Sequence, residues 1–169
     1  MGLLLVAAAA CAGAPRQKPL PVGRIDSGPG SLAEARKFLE GRWALESFEV
    51  RPPGKEPIFL KGSGALNYDD FGNMRMEINA DQASSDLLRA AGIDIRDGVI
   101  STDGRTAIDL QNHTLTYFLD GKPPLVSSAS GPLAPDRPRH WEITADELTL
   151  TTRDDAGAPL SIGRWKRSK

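Results

Sequence analysis

From Trp43 onward the apolar and polar positions of this chain alternate with a period of two. Met74, Met76 and Ile78 face one way while Arg75, Glu77 and Asn79 face the other. Ile108 and Leu110 alternate with Ala107 and Asp109, Leu115, Tyr117 and Leu119 share a side, and so do Leu148 and Leu150. One buried and one solvated face is the pattern of an antiparallel sheet. The joints have turn chemistry: DDFGN (Asp69 to Asn73), ADE (Ala145 to Glu147) and DDAGAP (Asp154 to Pro159). The count comes to about eight to ten strands, enough to close a small up-and-down barrel and remove its edges. The expected fold is therefore mainly β, an antiparallel up-and-down β-barrel with one or two short helices.

Two stretches depart from the alternation. SLAEARKFLEG (Ser31 to Gly41) reads as a helix capped by Ser31 and Glu34, with Leu32, Ala35, Phe38 and Leu39 on one face. SSDLLRAAGI (Ser84 to Ile93) reads as a second helix, ended by Gly92 and set over one mouth of the barrel. Along the first strand, Trp43 and Leu45 share one parity but Phe48 and Val50 the other. A bulge near Glu46–Ser47 reconciles them.

The front of the chain has a different texture. Leu3 to Ala10 is an unbroken apolar run. As a helix it spans roughly 12 Å, too short for a ~30 Å bilayer core but suited to the centre of a secretory signal. Small residues lead directly into Cys11, the single cysteine. This segment resembles the lipobox of bacterial lipoproteins, which implies residues 1–11 as signal peptide and lipidation at Cys11; an ordinary cleaved signal with an incidental Cys11 is the other reading. Residues 12–30, rich in proline and glycine, form a tether, and residues 31–169 form the folded domain. No acidic residue closely follows Cys11, so the resemblance places the protein in the bacterial envelope, anchored by lipid to the outer membrane and facing the periplasm.

Composition narrows the function. A net charge of −1 and the lack of a dominant basic face argue against nucleic acid as a partner. One cysteine excludes an internal disulfide framework, and two histidines without spaced companions give no basis for a metal site or other cofactor. GSG (Gly62 to Gly64) lacks the spacing of a nucleophile elbow, and His113 and His140 read as polar residues at strand ends. The aspartate pairs 69–70 and 154–155 read as turn formers.

GRWALESFEV (Gly41 to Val50) resembles the Gly-x-Trp opening strand of lipocalins and other calycins, and more specifically the bacterial lipocalin-like domain. GALNYDDFGNMRMEI (Gly64 to Ile78) and the closing RHWEITADELTLTTRDDAGAP…GRWKR (Arg139 to Arg167) are similar to that family's middle and final strands. The resemblance implies that Trp43 stacks on Arg167 or Arg164 to close one end of the barrel. With the methionines pointing inward, Leu66, Tyr68, Met74, Met76, Tyr117 and Leu150 line the interior, as a binding cavity or as plain core. The leading expectation is a non-enzymatic, membrane-tethered lipocalin-like protein that binds a small apolar molecule. An envelope protein-interaction module, using Phe59, Phe71 or the 122–126 segment, is the first alternative. The second is a barrel-hosted isomerase or hydrolase, which would need Tyr68, Arg75 or His113 to converge.

Overall fold

The computed structural model describes residues 30–93, 95–119, 132–135 and 137–168. The signal-like segment, Cys11, the tether up to residue 29 and the 122–126 stretch lie outside the described residues. Helix α1 (Leu32–Leu39) leads into β1 (Gly41–Val50), β2 (Ile58–Leu60), β3 (Gly62–Tyr68) and β4 (Asn73–Ala80). Helix α2 (Gln82–Ala90) and a single 3₁₀ turn (Arg96–Gly98) then precede β5 (Val99–Asp109), β6 (Thr114–Leu119), β7 (Arg139–Ile143), β8 (Glu147–Arg153) and β9 (Pro159–Arg167). All pairings are antiparallel between lane neighbours, and β1 also pairs with β9, so the sheet closes into a barrel. Strands β2 and β3 both pair with β1, at its two ends, so they occupy one lane and the nine strands fill eight lanes. This is an up-and-down antiparallel barrel of calycin-like build.

The parity break in β1 is resolved by a register shift against β9 between Leu45 and Ser47. Trp43 before it and Phe48 and Val50 after it are all buried. The motif GSG is a strand segment. A Cβ on Gly62 would lie 1.9 Å from the Asn79 carbonyl oxygen, so glycine there permits the close approach of β4.

Several expectations shift. Helix α2 starts two residues earlier than the pattern suggests, because Asp81 caps it by accepting from the Ser84 N–H at 2.8 Å. Phe38 is exposed, while Ala35 and Leu39 of the same helix are buried. Ser31 does cap α1, but Glu34 reaches back to the Gly30 N–H. Leu110 lies in a turn, not a strand, because Asp109 folds the chain over by accepting from the Gln111 and Asn112 N–H groups. Strand β2 was not foreseen; three residues are too few to show a period.

The two ends of the barrel are covered differently. At the α1 end, the Arg167 guanidinium lies 4.1 Å from the centroid of the Trp43 ring and donates to the Phe38, Glu40 and Ala145 carbonyls. The Trp43 indole N–H donates to the Leu39 carbonyl at 2.8 Å. Gly41 holds φ at +116°, and a Cβ there would sit 3.2 Å from the Arg167 guanidinium. Arg164 pairs in register with Ser47 and is exposed, so Arg167 is the stacked residue. At the opposite end α2 inserts Leu88 into the core, and Leu133, in the short segment from Pro132 to Pro135, joins the same cluster.

Candidate functional site

The six residues read as a binding surface, Leu66, Tyr68, Met74, Met76, Tyr117 and Leu150, all point into the barrel and are buried. The inward set of the methionine strand is Met74, Met76 and Ile78, and Arg75 and Glu77 face outward. Inside the wall these side chains meet one another and leave little free space. The interior crevice has a volume of about 20 Å³. That is room for roughly one water, whereas small-molecule pockets run to about 300 Å³ or more. Of the six, Met76 and Leu150 border this crevice.

Its other walls are residues that the sequence reading did not single out: Arg139, Thr152, Ser161 and Trp165, with Leu133 above them. Register explains the grouping. Arg139 pairs with Thr152, Thr152 with Ser161, and Ser161 with Val50, so one row crosses four strands at one level. The missed signal was parity. Arg139 shares its face with Trp141 and Ile143 on a short strand, which aims a guanidinium inward.

Arg139 is buried and lies 4.2 Å from the centroid of the Tyr117 ring. It donates to the Ala134, Pro135 and Arg137 carbonyls at 3.0, 2.7 and 2.9 Å. These bonds hold down the segment that carries Leu133, and the Ser161 hydroxyl adds one to the Pro132 carbonyl at 3.3 Å. On the far side of the Tyr117 ring edge, the Tyr117 and Tyr68 hydroxyls stand 2.8 Å apart. Burial first, then the neighbouring phenol, pushes the Tyr68 hydroxyl well above its ordinary value near 10. Burial also raises Tyr117, against the opposing pull of the Arg139 charge. Both phenols are therefore neutral hydrogen-bonding groups at physiological pH.

The indole N–H of Trp165, almost fully buried, has no hydrogen-bond partner among the described residues, and neither has the Thr106 hydroxyl. A buried N–H without an acceptor costs about 1–3 kcal/mol, so such a group in a well-packed barrel asks for a reason.

Tyr68, Arg75 and His113 are not brought together. Tyr68 is inside, Arg75 is on the outer face, and His113 sits in the exposed turn between β5 and β6, 5.0 Å from Trp141 ring to ring. Among the described residues no group of three or more His, Cys, Asp or Glu could hold a metal ion. No described helix is long and apolar enough to cross a membrane. Of the outer apolar residues, Phe71 tips the β3–β4 turn, and Phe59 lies at the other end of β1. Phe59 and Leu87 flank a shallow groove of about 460 Å³ between β2 and α2. The chain matches no protein-family model and no curated protein.

Proposed function

We propose that this chain is a non-enzymatic, lipocalin-like carrier that takes up a small, mostly apolar molecule at its strapped end. We propose further that lipid on Cys11 holds it at the bacterial envelope, on the outer membrane facing the periplasm. The observation that carries the binding role is the crevice under residues 132–135. Two polar side chains are buried there: Arg139, which donates to the Ala134, Pro135 and Arg137 carbonyls, and Trp165, whose indole N–H has no partner among the described residues. Around those groups the lining is apolar: Phe48, Met76, Ile100 and Leu150. The described part of the cover, residues 132–135, is a turn and not a strand of the barrel, so its displacement would leave the described strand pairings intact.

The anchor rests on the apolar run ending at Cys11 and the proline- and glycine-rich stretch after it. The non-enzymatic reading rests on the separation of Tyr68, Arg75 and His113. Native mass spectrometry of the protein purified from its own membranes tests both parts. The expected result is an acylated chain beginning at Cys11 with a small molecule bound. A chain that keeps its first ten residues overturns the anchor. A ligand-free chain that also takes up no lipid extract overturns the carrier role, and turns attention to the Phe59–Leu87 groove as a contact for a protein partner.

A further inference from the structure

We infer that the groove between β2 and α2 is a docking site for a short extended peptide, which pairs its backbone with the free edge of β2 at Phe59. This role goes beyond that of a carrier and does not depend on it. It follows from the direction of each backbone group in β2. In an antiparallel ladder, consecutive residues turn their N–H and C=O to opposite sides. Lys61 turns both away from β1, its N–H to the Ser84 hydroxyl at 2.9 Å and its C=O to the Asp81 N–H at 2.8 Å. Phe59, two residues earlier, turns the same way. Strand β1 agrees. The Arg51 N–H goes to the Leu160 carbonyl at 2.8 Å, so Glu49, the register partner of Phe59, faces β9. Ile58 and Leu60 therefore make the bonds to β1, and the N–H and C=O of Phe59 have no partner among the described residues.

The side they face is a groove of about 460 Å³, with residues 55–59 on one bank and Leu87, Ala90 and Ala91 of α2 on the other. Its apolar rims are open: Phe59 is 64% exposed and Leu87 55%. Its width is set in advance. Asp81 and Ser84 tie the start of α2 to Lys61, and at the helix end the Lys55 ammonium donates to the Ala90 carbonyl at 2.9 Å. A preformed groove with one unpaired donor and one unpaired acceptor on its wall suits an extended backbone, which carries both. An acyl chain would fill the groove and leave both backbone groups unpaired.

The same residues limit what can dock. Pro57 has no N–H to give and Lys61 is already bonded, so Phe59 exchanges two hydrogen bonds and the Pro57 carbonyl accepts one more at most. The paired stretch is therefore short. The edge faces α2 across the groove, and in a second copy the same edge stands beside its own α2, so two barrels cannot bring these edges together. A single extended strand is narrow enough. The residue paired with Phe59 carries its side chain on the same outward face, beside the Phe59 ring and Leu87, and is therefore apolar.

The test pans a displayed library of random nonapeptides against the full chain, with Leu87→Ala as counter-selection, and titrates synthetic copies of the enriched clones. Enriched sequences should alternate apolar and polar residues. Phe59→Ala, which keeps the N–H and removes the ring, should weaken their binding about fivefold. Phe59→Pro, which removes the N–H as well and takes no bond from the β1 ladder, should weaken it a further fivefold or so. Amide hydrogen exchange reads the bond itself. The Phe59 amide should exchange freely in the unliganded chain and be slowed at least about tenfold by saturating peptide. Should Phe59→Pro fail to fold, this measurement on the wild-type chain decides. No enrichment over Leu87→Ala overturns the site. Peptides that bind without slowing the Phe59 amide overturn the strand pairing. A Phe59 amide that slows with protein concentration alone, as the chain dimerises, overturns the choice of occupant in favour of a second copy.

Discussion

Each end of the barrel is finished by an arginine over an aromatic ring, and the two are built alike. Arg167 lies 4.1 Å from the Trp43 ring centroid and Arg139 lies 4.2 Å from that of Tyr117. Among the described residues each donates to three backbone carbonyls. What differs is the distance along the chain to the groups they hold. Arg167 reaches Phe38 and Glu40, 129 and 127 residues away, and so ties the last strand to the first helix. Arg139 reaches residues two to five places before itself. Breaking the first set opens a contact that closes the whole fold. Breaking the second disturbs contacts between groups that are already close along the chain, for which little loop-closure entropy is at stake. The same side-chain chemistry thus ties distant parts of the chain together at one end and near neighbours in sequence at the other.

The sharpest way to break this comparison is Trp43→Ala. Removing a fully buried indole from the Arg167 end should cost about 3–5 kcal/mol in urea unfolding. A loss much smaller than this would mean that the end is not the structural one. Next comes a pair of truncations, Leu66→Ala in the wall and Leu133→Ala in the strap. The first should lose about 2–5 kcal/mol, and the second distinctly less, because a strap can settle into the gap and a strand cannot. Equal losses would show that the strap is as rigid as the barrel. Arg167→Lys should then lower the melting temperature by a few degrees, roughly 2–4 °C per kcal/mol, since an ammonium cannot reproduce a planar fork over an indole.

Smaller effects come from titration. The chain has two tyrosines, Tyr68 and Tyr117, so ultraviolet absorbance reads this pair alone. Both hydroxyls are raised above their ordinary value by burial. Their contribution to stability is present while the unfolded phenols are also protonated, and falls away as pH rises past about 10, where only the unfolded chain ionises. Phenolate should therefore appear with unfolding, not before it. At the acid side, hydrogen bonds from Asn73 and from turn N–H groups lower Asp69, and those from Asn112 and Gln111 lower Asp109. Their folded values lie below the unfolded ones, so the stabilisation is present above the unfolded carboxylate range and is lost as pH falls through the folded value. Asp69→Asn should flatten the acid limb of the stability profile slightly; an unchanged limb would show that the turn carries no linkage.

How far the sequence was legible follows from the range of each signal. The alternation of Met74, Met76 and Ile78 with charged neighbours gave the correct inner face, because strand side chains alternate whatever lies opposite. The β1 bulge was legible as a parity break, since a bulge is a one-residue event within one strand. The Asp69 and Asp154 turns were legible because their side chains bond to their own local backbone. Phe38 was misplaced, because helical spacing shows which residues share a face but not how far round that face the barrel reaches. Arg139 was passed over, because a charged residue on a five-residue strand reads as solvated until its neighbours are known.

The residue order by itself determined the class of wall, the inward set of most strands and the turns between them. Those properties depend on contacts within a few residues, and each local segment carries its own instruction. Only the closed tertiary structure decided that the six inward residues pack against one another, that Arg139, Ser161 and Trp165 meet around a small crevice, and that Arg167 takes the ring of Trp43. Each of those outcomes depends on the register of strands far apart in the chain, where the position of one side chain is set by the volume and hydrogen bonding of all the others.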